Sequence, residues 1–176
     1  MVVFDASVLL LVLEPGAKAP NDPETDAPVH RAAERIEFLI ATLSAAREQI
    51  VIPTPVLSEV LVHAGAAMQP YLDTLNKQSV FRIVPFDQKA AIEAALALGD
   101  AIRRGGHRID AANPDVTKTK IKFDRQIVAI AKAEGVRAVY SDDVDVHNYA
   151  KQAGLKAYRT AELDLPPEDP QSSMDV

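Results

Sequence analysis

The chain contains no cysteine and no tryptophan, only 5% aromatic residues, and just four histidines, His30, His63, His107 and His147. Without cysteine there is no disulfide and no thiolate-held metal. The histidines are scattered and no two have the helical spacing of a zinc-binding pair, which disfavours a His-rich zinc site. Any metal would be a hard cation on carboxylate oxygens. So few aromatics leave no base-stacking platform for nucleic acid. The apolar run that starts at Val8 is far too short to cross a bilayer. The opening MVVFDASVLLLVLEP has no basic region and is broken by Asp5, so it does not read as a signal peptide. The expectation is a cytoplasmic protein with no membrane association.

What is present suits one globular domain: 176 residues, of which 48% are hydrophobic. The formal net charge of −6 argues against a protein that coats nucleic acid. It leaves room for an enzyme that grips nucleic acid through a local basic patch.

Short apolar runs alternate with helical patterns along the chain. Val2-Val3-Phe4 reads as a buried strand ended by Asp5, and Ala6 to Leu13 as a helix stopped near Pro15-Gly16. The Pro- and Asp-rich stretch 15–28 reads as a loop, and Val29 to Arg47 as a helix. Gln49 to Ile52, Val80 to Val84, Val136 to Tyr140 and Leu155 to Tyr158 read as four further strands. Between them lie the helices "TPVLSEVLVHAG", opened by proline, a short one at Tyr71 to Asn76, and "QKAAIEAALALGDAIRR", capped by Asp87. Two more follow, 124–134 ended by Gly135 and Val144 to Ala153 ended by Gly154. Residues 105–121 read as irregular, and the tail 165–176 as disordered. Alternation of this kind predicts an α/β fold with a parallel sheet between helices. Ligands of such folds bind beyond the carboxyl ends of the strands.

Acids stand at those ends. Asp5 follows the first strand, and Asp142 and Asp143 follow the fourth. Glu59 interrupts the apolar "PVLSEVLV", and Asp124 opens the helix after the irregular segment. Carboxylates brought together without a counter-ion would repel and take up protons. A divalent cation removes that conflict, and Mg²⁺ or Mn²⁺ on oxygen ligands can activate water and stabilise a phosphodiester's leaving oxygen, with one ion or two. Each acid also has an ordinary reading: a helix cap for Asp5 and Asp124, an amphipathic helix surface for Glu59, a solvated turn for Asp142, Asp143 and Asp145. Asp145 reads best as the cap of the next helix, and His107 and His147 as surface residues.

Four segments, "VFDASVLL", "IPTPVLSEVL", "FDRQIVAIAKAEG" and "AVYSDDVDVHNYAKQAGL", taken in order over residues 1–158, resemble the PIN-domain ribonucleases, and among them the VapC-like toxins of type II toxin–antitoxin pairs. The resemblance implies a three-layer α/β/α fold with a central parallel sheet of about five strands, spanning residues 1–164. It implies metal-binding carboxylates at Asp5, Glu59, Asp124 and Asp143, with Asp142 as second choice and Ser7 and Ser141 in support. It further implies an RNA substrate, a small antitoxin partner and a homodimer. The loops 15–28 and 105–121 look longer than in compact members of the family.

From Arg103 to Arg125 seven basic residues stand against three acidic ones. Of these, Arg104, Arg108, Lys118, Lys120, Lys122 and Arg125 are the candidates for RNA phosphate contacts, against an ordinary solvated loop. The function expected is a metal-dependent endoribonuclease. The alternative is a non-catalytic module of the same fold that binds RNA or protein. A dehalogenase-like phosphatase would need an acid where Ser7 stands, and a dinucleotide site would need a glycine-rich turn where the chain reads DASVLL.

Overall fold

Val2–Phe4 form the first strand, β1, and all three side chains are buried. A strand apolar on both faces requires cover on both sides, as in a parallel sheet. A computed structural model of the protein, describing residues 1–103 and 118–167, shows that sheet. Four more strands join it: β2 (Ile50–Pro53), β3 (Phe81–Val84), β4 (Ala138–Tyr140) and β5 (Lys156–Tyr158). Every neighbouring pair is parallel, and the order across the sheet is β3-β2-β1-β4-β5. In register, Val3 of β1 sits between Val51 and Val139.

The order carries the functional consequence. From β1 the chain builds outward on one side through β2 and β3, then returns to lay β4 and β5 on the other. The direction of winding therefore reverses between β1 and β4. Connections leaving two adjacent strands in opposite directions open a crevice at the carboxyl ends, which is where doubly wound sheets hold their ligands.

Seven helices flank the sheet among the described residues: α1 (Ala6–Leu13), α2 (Ala32–Ala45), α3 (Thr54–Ala64), α4 (Met68–Lys77), α5 (Gln88–Arg103), α6 (Lys118–Ala133) and α7 (Val144–Gln152). A single 3₁₀ turn, Gly65–Ala67, joins α3 to α4, and another, Thr160–Glu162, follows β5. Pro55 lies in the first turn of α3, where its missing N–H costs nothing. Asp87 accepts the Ala90 N–H and starts α5, as its position predicts. Gly135 and Gly154 end α6 and α7 at φ of 63° and 79°, a left-handed backbone that favours glycine. The core runs through all five strands and the inner faces of the helices; Phe4, Leu9, Ile36, Ile52, Leu75 and Ile130 are among its largest sealed side chains.

Two expectations are corrected. The helix expected at 124–134 begins six residues earlier, at Lys118, so Asp124 lies within α6 rather than at its start. Neither a cap nor a dipole role is open to it there. The N-cap of α7 is Asp143, not Asp145: its Oδ1 accepts the N–H groups of Asp145 and Val146. The loop 15–28 is closed by an antiparallel bridge, Asn21 to Pro28, and by the Asp22 N–H donating to Ala27 O. Of the segment 105–121, residues 118–121 are helical and the rest lies outside the described residues, as does most of the tail 165–176.

Candidate metal centre

Asp5 leaves β1 with extended backbone and its carboxylate is buried. It makes no side-chain cap bond to α1, so the ordinary capping role does not account for it. Its Oδ2 instead accepts the hydroxyls of Ser141, at 2.7 Å, and Ser7, at 3.2 Å. Each hydroxyl has a second task. Ser7 Oγ accepts the Asp142 N–H at 3.0 Å, and Ser141 Oγ accepts the Asp143 N–H at 3.1 Å. Two serines thereby tie the end of β1 to the turn after β4, across the switch point.

Asp124 reaches the same place from α6, and its side chain is also buried. Asp143 comes from the start of α7. Carboxylate oxygens of Asp124, Asp143 and Asp145 lie within 4.8 Å of one another. Glu59, on the exposed side of α3, has a carboxyl raised by partial burial and by the charges of Asp5 and Asp143. Asp5, Glu59, Asp124 and Asp143 therefore share one electrostatic environment, although they come from four separate stretches of chain.

The crowding shows in their protonation. Burial pushes Asp5 above the usual carboxylate range, and the Asp143 charge adds to that. Burial raises Asp124 to about 6, against the pull of the Lys120 charge and hydrogen bond. For Asp143, burial also works upward, but the Lys120 hydrogen bond and charge and two backbone N–H groups outweigh it, and the carboxyl is lowered. Asp124 and Asp143, both partners of Lys120, thus shift oppositely. Asp124 is the more deeply buried, and Asp143 alone has the helix N–H groups.

Asp142 has a different environment. One of its oxygens accepts the Thr160 N–H at 2.9 Å and the other the Thr160 hydroxyl at 2.5 Å. It fastens the β4 turn to the segment after β5. Asp145 is the residue that sequence reasoning set aside as a cap; it stands in the acidic cluster. The D-V-D spacing of 143–145 was the available signal, since an N-cap and the residue two beyond it lie close together.

The basic candidates disperse. Lys120 is not on a loop facing solvent. Its ammonium lies 2.9 Å from Asp143 Oδ2, 3.2 Å from Asp124 Oδ2 and 3.4 Å from Asp145 Oδ2. Lys122 is exposed, and Arg125 lies over the ring of Tyr149, 5.5 Å from its centre. The side chain of Lys118 and both Arg104 and Arg108 fall outside the described residues, as does His107. His147, expected at the surface, is instead buried on the inner side of α7, with Nε2 unpartnered among the described residues. No helix among the described residues is long and apolar enough to cross a membrane.

No family model matches the chain, and no curated protein sequence does. Solved structures do. FitAB bound to the IR36 DNA fragment superposes with a TM-score of 0.60 at 18% identity, covering 93% of this chain and 98% of that one. VapBC2 from Rickettsia felis, bound to a DNA fragment from its promoter, gives 0.56 at 14%, covering 90% and 98%. DNA-bound VapBC from Salmonella typhimurium gives 0.55 at 15%, covering 90% and 97%. The chain has a VapC-like PIN-domain fold. At these identities the likeness establishes the fold alone. The sheet of five parallel strands flanked by helices agrees with the architecture expected from the sequence.

Proposed function

We propose that this PIN-like protein is a metal-dependent endoribonuclease. It hydrolyses RNA phosphodiester bonds with Mg²⁺ or Mn²⁺, one ion or two, and serves as the toxin of a toxin–antitoxin pair. One observation supports the reading: carboxylate oxygens of Asp124, Asp143 and Asp145 lie within 4.8 Å of one another, and Ser141 ties buried Asp5 to Asp143 where the sheet reverses its winding.

The donor set fits a hard divalent cation. It is all oxygen, burial and like charge raise the carboxyls of Asp5 and Asp124, and a cationic group already stands between Asp124 and Asp143. Asp5, Asp124 and Asp143 would hold the ion, with Asp142 a second choice. When bound, such an ion supplies an activated water and stabilises the leaving oxygen. The chain's own residues do the rest. Ser7 and Ser141 fix the Asp5 carboxylate, and Asp143 is fixed by the N–H groups of α7. Glu59, its carboxyl raised above the ordinary value, would orient the attacking water. Arg104, Arg108, Lys118, Lys122 and Arg125 would meet RNA phosphates, and with so few aromatics recognition leans on backbone and shape.

The solved neighbours VapBC and FitAB are complexes bound to DNA. That supports an antitoxin partner for this chain, and we extend it to a homodimer in the cytoplasm. The second reading, a non-catalytic module binding RNA or protein, is favoured by the ammonium of Lys120 standing amid the carboxylates. The two separate in a cleavage assay on a structured RNA pool with Mg²⁺, Mn²⁺ or a chelator, alongside Asp5→Asn and Asp124→Asn. Metal-dependent cleavage lost in both variants supports the nuclease. An uncut pool, with no metal bound, supports the binding module.

A further inference from the structure

Lys120 and Asp124 are one helical turn apart on α6, so their side chains share a face. Asp143 and Asp145 approach that face from the start of α7. The Lys120 ammonium sits among all three carboxylates, at 2.9–3.4 Å from one oxygen of each. Its side chain is 40% exposed, so the stem has open space to swing into. A divalent ion would take oxygen contacts of about 2 Å from this same group. An ammonium and a divalent ion cannot occupy that space together.

We propose that Lys120 is a tethered counter-ion: its ammonium holds the cation position between Asp124, Asp143 and Asp145, and a divalent ion must displace it to bind. This rests on the metal-dependent reading of the site. Lys120 is then a positioning residue with two effects. Without metal it keeps the carboxylates from repelling one another, so the site stays assembled. With metal it competes, so the site fills only above a threshold concentration set by the lysine. An arginine would keep the competing charge; an uncharged side chain of similar length would remove it.

The test is calorimetric titration with Mn²⁺ at pH 8 on the wild type, Lys120→Met, Lys120→Arg and Asp124→Asn. Loss of the competing charge should tighten Mn²⁺ binding about tenfold in Lys120→Met, the scale of an ion pair in a partly exposed site. Lys120→Arg should stay close to wild type. In chelator Lys120→Met should melt below wild type, and saturating Mn²⁺ should raise its Tm by more. Equal or weaker Mn²⁺ binding by Lys120→Met overturns the proposal while leaving the nuclease reading intact. No Mn²⁺ binding by wild type or Lys120→Met overturns both.

A second measurement needs no variant. Amine-labelling of the wild type, read by mass spectrometry, should show Lys120 protected in chelator and labelled faster when Mg²⁺ is added, with exposed Lys122 unchanged. A Lys120 labelling rate indifferent to Mg²⁺ overturns the displacement.

Discussion

Ser141 Oγ donates to Asp5 Oδ2 at 2.7 Å and in the same position accepts the Asp143 N–H at 3.1 Å. One hydroxyl, sealed from solvent, therefore sets the relative placement of two carboxylates that are 138 positions apart in the chain. Ser141→Ala removes the donor to a buried carboxylate and strands a backbone N–H. It should cost about 1–3 kcal/mol of stability. It should also weaken divalent-ion binding, because Asp5 loses its closest orienting contact. Chemical denaturation and Mn²⁺ titration on the same preparation check both effects. Unchanged ion affinity in a destabilised variant would make Ser141 structural only.

Asp142 and Asp143 are neighbours with separate duties. Thr160 takes both oxygens of Asp142, whereas Asp143 faces the cluster. Thr160→Val should destabilise the fold by about 1–3 kcal/mol and leave ion affinity alone. Asp142→Asn should retain Mn²⁺ binding, and Asp143→Asn should lose it. The reverse order of the two asparagine variants would make Asp142 the ligand.

The opposite end of the sheet has its own acid-sensitive contact. Glu48 pairs with Arg137 at 2.6 Å and with the amino group of Met1 at 3.0 Å. The Arg137 hydrogen bond, followed by the bond from Met1, lowers its pKa to about 2 despite partial burial. A carboxyl depressed in the folded state contributes stability above its unfolded pKa of about 4.3, and that contribution is lost as pH falls through the folded value. Glu48→Gln should therefore cost about 1 kcal/mol at pH 7. The gap between wild type and variant should close as pH drops toward 2, in urea denaturation followed across pH.

Most of the architecture was legible from apolar runs and punctuation. Val2-Val3-Phe4 and Ile50-Val51-Ile52 are too uniformly apolar for a half-exposed sheet, and Gly135 and Gly154 mark helix ends. The start of α6 was not legible. Lys-Thr-Lys-Ile-Lys has β-branched residues alternating with charge, which hides the helical period, and Ile121 is its only residue described as buried. That miss concealed the pairing of Lys120 with Asp124, which is obvious once both lie on one helix. Asp145 was misread for another reason. Either acid of 143–145 could cap α7 by sequence; the backbone extends at Asp143, with φ −73° and ψ 125°, and so settles which one does. Asp5 and Asp143 could be singled out in the sequence because a strand's end in an α/β sheet is a place with functional meaning.

The central claim is that these carboxylates form one divalent-ion site at the switch point. The most direct measurement is anomalous diffraction from crystals grown with Mn²⁺. The account predicts a peak roughly 2 Å from oxygens of Asp124 and Asp143, two of the carboxylates that hold the Lys120 ammonium, with that ammonium moved out of the cluster. Crystals with no peak there at saturating Mn²⁺, and Lys120 still between Asp124 and Asp143, would contradict it.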